Sequence, residues 1–159
     1  MQRTLLLIKP DGVQRQLVGR ILSRIEDKGL KIVGLKMKNL DRETAEEHYA
    51  PHEDKPFYED LLEFITAGPL IAGVLEGPEA IPVTRKLLGE TFGQEATPGT
   101  IRGDFGQSRS FNLVHGSDSP ESAEREISLF FSEDELVEYD LPNDRWHYKQ
   151  EDIDAADES

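Results

Sequence analysis

One stretch of the chain, from Asn112 to Pro120, combines residue types that could do chemistry. A short apolar run ends in His115, a small polar turn follows, and Ser119 and Pro120 then suit the N-cap and first position of a helix. Because imidazoles titrate close to pH 7, a histidine there could act as nucleophile or base, and the N–H groups of the turn could receive an anion. A lone histidine of this kind more often has a structural or surface role, so it is weak evidence by itself.

Cationic side chains are predicted close to this histidine. Residues 89–111 form a long irregular stretch that contains Arg102 and Arg109, and it follows a predicted helix that ends with Arg85 and Lys86. A loop of about 20 residues inside a compact domain is uncommon unless it is functional or disordered. In a chain with a net charge of −14, arginines gathered beside a candidate nucleophile indicate an anionic substrate.

The length and composition of the chain restrict the class of protein. The 159 residues suffice for one domain with a proper core. No apolar run approaches the roughly 20 residues needed to cross a bilayer, and the start of the chain lacks a small-residue cleavage site, so we expect neither a membrane span nor a signal peptide. The absence of cysteine excludes disulfides, thiolate zinc sites and cysteine nucleophiles. The simplest expectation is a cytoplasmic protein.

The charge is the unusual feature of the composition. There are 32 acidic and 18 basic residues, and the last 41 residues hold 14 acids against three bases. Such a field repels nucleic acid and anionic membranes, so neither is an expected partner. An ordinary acidic protein is one interpretation; we favour adaptation to high salt, where screening removes the self-repulsion. Residues 149–159, which are acidic and without periodicity, are predicted to be a disordered tail behind a domain of residues 1–148.

Hydrophobic periodicity predicts four strands separated by helices. The continuous apolar run from Thr4 to Ile8 predicts a central strand covered on both faces. The other strands are predicted over residues 31–40, 70–75 and 112–115, and the main helices over residues 13–28, 42–49, 58–66, 78–88 and 119–131. This order fits a βαββαβ antiparallel sheet with helices on one face, and it fits a small doubly wound fold equally well.

The motif Asn-x-x-His-Gly-Ser-Asp-Ser at residues 112–119 resembles the signature of the nucleoside diphosphate kinases, and the chain agrees with that family from about Thr4 to Trp146. The resemblance implies the ferredoxin-like α+β fold, with a two-helix hairpin after the second strand and a long nucleotide-site loop before the fourth. It also implies transfer of the γ-phosphoryl group of a nucleoside triphosphate to His115 and from there to a nucleoside diphosphate. No P-loop motif is present, which excludes a kinase of that class.

The resemblance also implies a role for individual positions. The implied catalytic residues are His115, which is phosphorylated, Glu126 and Ser117, which orient it, and Tyr49. The implied nucleotide-binding residues are Lys9, His52, Phe57, Arg85, Thr91, Arg102 and Asn112. Mg²⁺ is expected to be held mainly by the phosphates of the substrate. The implied partners are ATP, other nucleoside di- and triphosphates, and further copies of the chain, most often in a hexamer.

Some details stay open at this point. Phe57 could pack on its own helix as a hydrophobic staple or could form a platform for a base. Arg109 stands where the family commonly has a small aliphatic residue over the base, and Phe92-Gly93 replaces a frequent Asn-Pro and is predicted to loosen the loop. A regulatory or DNA-interacting relative is the alternative class, although such a protein would more readily have lost His115 or Arg102.

Overall fold

The sheet at the centre of the molecule has four antiparallel strands in the order β2-β3-β1-β4. A computed structural model describes residues 1–159, and its strands are β1 Gln2–Ile8, β2 Lys31–Asn39, β3 Pro69–Gly77 and β4 Val114–Gly116. The register pairs Leu7 of β1 with His115 of β4. This arrangement confirms the predicted ferredoxin-like α+β fold and excludes the doubly wound alternative, whose strands are parallel.

Eight α-helices surround the sheet: α1 Pro10–Gln14, α2 Val18–Asp27, α3 Arg42–His48, α4 Tyr58–Ile65, α5 Ala80–Leu88, α6 Ile101–Phe105, α7 Pro120–Phe130 and α8 Gln150–Glu158. Asp41 and Ser119 cap α3 and α7 by accepting N–H bonds from Thr44 and Ser122. The helix predicted over residues 13–28 is two helices, because Gln16 takes a left-handed conformation with φ 57° between them. None of the eight is both long enough and apolar enough to cross a membrane.

The side chains of β1 alternate between two cores. Leu5 and Leu7 pack with residues of α3, α4 and α7 on one face of the sheet. Leu6 and Ile8 pack with residues of α2 and α5 on the other face. The strand is therefore covered on both sides, as predicted. The two crossover helices share one face, and the additional helical hairpin of α3 and α4 lies with α7 on the opposite face.

The chain beyond α7 first follows β2 and then forms a helix. Val137 N–H donates to the carbonyl of Val33, and Lys31 Nζ donates to the carbonyl of Tyr139 at 2.7 Å. The helix α8, Gln150–Glu158, lies where the sequence predicted a disordered tail over residues 149–159. Lys149 N–H donates to Asp152 at its start and Gln150 donates to Asp154 at 2.9 Å. Such capping bonds do not appear in hydrophobic periodicity. The domain boundary at residue 148 stays a prediction.

Candidate active site

His115 lies in β4 against the buried acid Glu126 of α7. His115 Nε2 is 2.9 Å from Glu126 Oε1, and the hydroxyl of Ser117 donates to the same oxygen at 2.7 Å. Ser117 is itself fixed because its Oγ accepts the N–H of Leu5. Burial favours a neutral Glu126, but the hydrogen bond and charge of His115 outweigh it and hold the pKa of Glu126 below its usual value. An ionised Glu126 accepts the Nε2 proton, so the other ring nitrogen, Nδ1, carries a free lone pair.

A strained turn leads into this histidine. Leu113 is fully buried and has φ 70°, which bulky residues rarely adopt, and Val114 N–H donates to the carbonyl of Asn112 at 2.7 Å. Two contacts hold the turn: Leu113 N–H donates to Asp11 Oδ2 at 3.0 Å, and Lys9 N–H donates to the carbonyl of Leu113 at 2.8 Å. Strain of this kind costs about 1–3 kcal/mol and persists only where the surroundings enforce it. Here it fixes the directions of the residues on either side.

Lys9 and Asn112, two of the implied nucleotide-binding residues, are in contact. Lys9 Nζ donates to Asn112 Oδ1 at 2.9 Å, and Asn112 Nδ2 donates to the carbonyl of Thr91 at 3.1 Å. Lys9 is 7% exposed, and its burial, followed by the charge of Arg102, lowers its pKa to about 8. Because this buried ammonium has few hydrogen-bond partners, an anion that approaches it stabilises its charged form.

The two predicted arginines of the phosphate clamp differ in their surroundings. Arg102 donates to three backbone carbonyls, those of Asn112 at 3.1 Å, Gly89 at 2.8 Å and Val114 at 2.7 Å, so it also braces the loop against β4. Its burial, with the charge of Arg85 nearby, lowers its pKa to about 10. Arg85 is exposed and makes one long bond, of 3.3 Å, to the carbonyl of Gly116. Arg85 therefore keeps most of its donors free.

Three aromatic side chains, Tyr49, His52 and Phe57, form a series that leads to the surface. The rings of Tyr49 and His52 lie 6.4 Å apart, and those of His52 and Phe57 lie 6.1 Å apart. Phe57 is 46% exposed at the start of α4, which does not fit a staple and leaves a face for a flat ligand. Burial raises the pKa of the Tyr49 phenol, and its hydroxyl has no hydrogen-bond partner.

Two expectations for the long loop need correction. Arg109 does not join the other arginines, because it pairs with Glu95 at 3.0 Å and lies over the ring of Phe92 at 4.7 Å. The Phe92-Gly93 pair does not loosen the loop. Gly93 packs so closely on Gly106 that a Cβ at position 93 would lie 2.6 Å from the backbone there. The backbone of the loop is therefore closely packed at this position.

One residue of the site was missed by sequence reasoning. His48, the last residue of α3, is 3% exposed, and its ring lies 4.8 Å from that of His115 in an edge-to-face arrangement. The signal was its helical spacing from the buried Ala45, which places it on the inward face. Burial and the neighbouring His115 lower the pKa of His48 to about 3, so it is a neutral imidazole at pH 7.

The donor atoms in the site do not suit a resident Mg²⁺. The one group of three or more histidine and acidic side chains that could hold a metal is His48, His115 and Glu126. Two of its donors are imidazoles, whereas Mg²⁺ takes oxygen ligands in octahedral geometry. Cationic side chains such as Lys9 and Arg102 surround the site instead, and they fit an anion that brings its own cation.

Comparison with known proteins agrees with this geometry. The family model described as nucleoside diphosphate kinase matches residues 2–136. A nucleoside diphosphate kinase of Thermomicrobium roseum is 60% identical over 146 residues, which are 92% of this chain and 98% of that protein. One from Archaeoglobus fulgidus is 56% identical over 94% of this chain and 99% of its own length.

Solved structures give the same result. The structure of a halophilic nucleoside diphosphate kinase from Halobacterium salinarum in complex with CDP superimposes with a TM-score of 0.91 at 53% identity, over 93% of this chain and 99% of that one. A structure from Babesia bovis superimposes with a TM-score of 0.90 at 47% identity, over 93% of this chain and 100% of its own. The chain therefore belongs to the nucleoside diphosphate kinase family, whose members transfer the terminal phosphoryl group of a nucleoside triphosphate to a nucleoside diphosphate.

Proposed function

We propose that the phosphoryl group passes through His115 in two half-reactions. The observation that carries this proposal is the bond from His115 Nε2 to Glu126 Oε1, at 2.9 Å, which leaves Nδ1 as the nucleophile. In the first half-reaction, the Nδ1 lone pair attacks the γ-phosphorus, and the bond to the β-phosphate oxygen breaks with its electrons, so that the diphosphate leaves. In the second, a terminal oxygen of another nucleoside diphosphate attacks the phosphohistidine and the P–N bond returns its pair to Nδ1.

Glu126 and Ser117 are proposed to act by orientation and charge. As Nδ1 bonds to phosphorus, the ring becomes positively charged, and an ionised Glu126 beside Nε2 stabilises that charge. The Ser117 hydroxyl, which donates to the same carboxylate oxygen at 2.7 Å, keeps the carboxylate in place. Because phosphoryl transfer depends mainly on positioning and electrostatics, this fixed triad supplies a large part of what the reaction needs.

The cations are proposed to hold the phosphates. Lys9, Arg85 and Arg102 bring positive charge to the β4 end of the site, and their contacts with the 112–116 segment keep them within reach of His115. Charge that builds up on the transferring oxygens is then stabilised by groups already in place. Asn112, with Lys9, is proposed to bind the sugar hydroxyl, while Thr91, Tyr49 and His52 line the phosphate path.

The exposed ring of Phe57 is proposed to stack on the base. Base–aromatic stacking contributes roughly 1–3 kcal/mol and tolerates every base, which suits an enzyme that takes ATP and other nucleoside di- and triphosphates. The similar protein from Halobacterium salinarum is described in complex with CDP, and that supports a diphosphate as a ligand here as well. We further propose that Mg²⁺ is carried by the nucleotide phosphates, where it neutralises charge during transfer.

We propose that the chain assembles as a homo-oligomer and that the exposed half of β2 lies in the contact between copies. Leu35 and Met37 are 49% and 58% exposed on this edge strand, whereas the first half of its edge is bonded to the segment after α7. Unpaired apolar edges of this kind favour pairing with another copy. A hexamer is the state that the family resemblance implies. Light scattering should give a multiple of 18.0 kDa, and a monomer mass would contradict the proposal.

The proposed setting is the cytoplasm, where the enzyme would maintain the pools of nucleoside triphosphates. Its substrates are made and consumed there. Cell fractionation with an antibody against the chain should recover it with cytoplasmic markers, and recovery with another compartment would contradict this placement.

Initial rates distinguish the proposed two-step route from direct transfer between two bound nucleotides. With ATP and GDP varied against each other, a phosphohistidine route gives parallel lines in a double-reciprocal plot, because the first product leaves before the second substrate binds. Lines that intersect would show that both nucleotides bind together and would contradict the proposal. His115→Gln should abolish turnover in the same assay.

A further inference from the structure

Three side chains inside the proposed site could together hold a metal ion, and the proposed phosphotransfer does not require an ion bound to them. His48 of α3, His115 of β4 and Glu126 of α7 each offer one donor atom, and these atoms all lie within 4.8 Å of one another. Two imidazoles and one carboxylate are a donor set found in zinc sites, where a water or another ligand completes the tetrahedron. The fold brings His48 of α3 to His115 and Glu126, from which it is distant in the sequence.

His48 has no other partner that explains its position. Both of its ring nitrogens are buried, and neither makes a hydrogen bond. A buried polar group without a partner costs free energy, so such groups in folded proteins are usually satisfied by protein, water or a ligand. The ring stands edge-to-face on His115 at 4.8 Å and also contacts the Phe130 ring at 5.5 Å. Either of the two buried nitrogens could therefore bind an ion placed between His48, His115 and Glu126.

We propose that His48, His115 and Glu126 form a binding site for Zn²⁺ or a similar borderline transition-metal ion. Such an ion bonds at about 2.0–2.2 Å to nitrogen and carboxylate oxygen, so small movements of three side chains would close the present separations. As the ion takes the place of the proton between His115 Nε2 and Glu126 Oε1, that proton moves to Nδ1, so the imidazole stays neutral and its Nε2 lone pair binds the ion. Mg²⁺ does not compete there, because it prefers oxygen ligands.

The site provides a means of inhibition. A Zn²⁺ ion bound to His115 and Glu126 occupies the imidazole and removes the carboxylate that orients it, so the ring can no longer accept a phosphoryl group. This consequence rests on the role proposed for His115, whereas the binding of the ion does not. Binding and inhibition are therefore measured separately.

The binding is tested by titrating ZnCl₂ into the full chain, without nucleotide or phosphate, by isothermal calorimetry. The wild type should bind one ion per chain, and His48→Gln should weaken that binding at least about tenfold. His147→Gln is the matched control, because it removes another histidine that is outside the cluster, and it should bind as the wild type does. Equal affinity of the wild type and His48→Gln, or no binding by the wild type, would overturn the proposal.

Binding of Co²⁺ gives a second measurement, which needs only the wild-type protein and no variant. Co²⁺ in a four-coordinate site of this kind absorbs visible light far more strongly than Co²⁺ in water, so the wild type should develop intense visible bands that Zn²⁺ then abolishes. A spectrum equal to that of the free ion would contradict the site.

Inhibition is then tested by labelling the protein with γ-labelled ATP and Mg²⁺ after loading with Zn²⁺. Labelling of the wild type should be slowed at least about tenfold and restored by a chelator, and labelling of His48→Gln should be much less affected. If the loaded wild type is labelled at the normal rate, the inhibitory role is overturned. If the metal-free protein is not labelled at all, the proposed function fails while the calorimetric result still stands.

Discussion

Glu126 Oε1 lies 2.9 Å from His115 Nε2 and accepts a hydrogen bond from the Ser117 hydroxyl at 2.7 Å. One buried oxygen atom therefore fixes both His115 in β4 and Ser117 directly after it. The carboxylate comes from α7, which starts directly after the turn that follows His115. The sheet and the helix thus approach each other at the imidazole. The orientation of the ring is therefore set by the packing of α7 against the sheet.

Replacing Glu126 by glutamine should slow turnover without preventing nucleotide binding. The amide keeps the shape but not the negative charge that stabilises the phosphorylated ring, and we expect kcat to fall on the order of 10²-fold with little change in KM for ADP. Glu124→Gln, an exposed position on the same helix, is the control and should leave both constants unchanged. A Glu126→Gln enzyme with the kcat of the wild type would show that the carboxylate has no such role.

The lowered pKa of Lys9 predicts proton uptake when a nucleotide binds near pH 8. Burial and Arg102 lower this pKa to about 8, so about half of the free molecules hold a neutral Lys9 at that pH. Phosphate binding favours the ammonium form, and ADP affinity should therefore fall as the pH rises above 8. Calorimetry of ADP binding in buffers of different ionisation enthalpy measures the uptake. Lys9→Met should show none, and its absence in the wild type would refute the prediction.

His48 predicts a loss of stability in mild acid. Its pKa is about 3 in the folded chain and about 6.5 in an unfolded chain, so between these values the unfolded state takes a proton that the folded state does not. Stability should fall as the pH drops below 6.5, at up to about 1.4 kcal/mol per pH unit from this residue, and should be unaffected by it above that pH.

Urea unfolding at pH 7, 6 and 5 measures this dependence. The free energy of unfolding of His48→Gln should fall less steeply with pH than that of the wild type, because glutamine does not titrate. Parallel lines for the two proteins would mean that His48 becomes protonated in the folded state, contrary to its burial.

The net charge of −14 predicts a requirement for salt. Screening reduces the repulsion between the acidic side chains, so the melting temperature and the assembled mass should both fall as salt is diluted. Deleting residues 149–159 removes five acids and one lysine, which changes the net charge from −14 to −10 and should lessen the dependence. Thermal unfolding at low and molar KCl measures both proteins, and an unchanged melting temperature would contradict adaptation to high salt.

The sequence supported those features that depend on short-range patterns. Ser119 stands at N-cap spacing after His115 and caps α7 in the structure, as predicted. The apolar run of β1 correctly predicted a strand that is buried on both faces. The contact between Lys9 and Asn112, which are 103 residues apart, is seen only in the structure, and their implied nucleotide-binding roles stay predictions.

Features that depend on tertiary contacts or on a single backbone angle could not be predicted from the sequence. His48 meets His115 only because α3 packs beside α7, and no spacing in the chain encodes that contact. The break between α1 and α2 comes from one left-handed residue, Gln16, inside a stretch of uninterrupted helical periodicity. Arg109 carries the same charge as Arg102, and only the structure shows that it pairs with Glu95 instead of lying with Arg102 and Arg85.

The most direct test of the account is to find where the phosphate resides during turnover. After brief incubation with γ-labelled ATP and Mg²⁺, the wild-type chain should carry one acid-labile, base-stable phosphate on the peptide that contains His115, and the label should pass to added GDP. His115→Gln should remain folded by circular dichroism and carry no label. Acid-stable phosphate on Ser117 or Ser119, or unimpaired turnover by His115→Gln, would contradict the central claim.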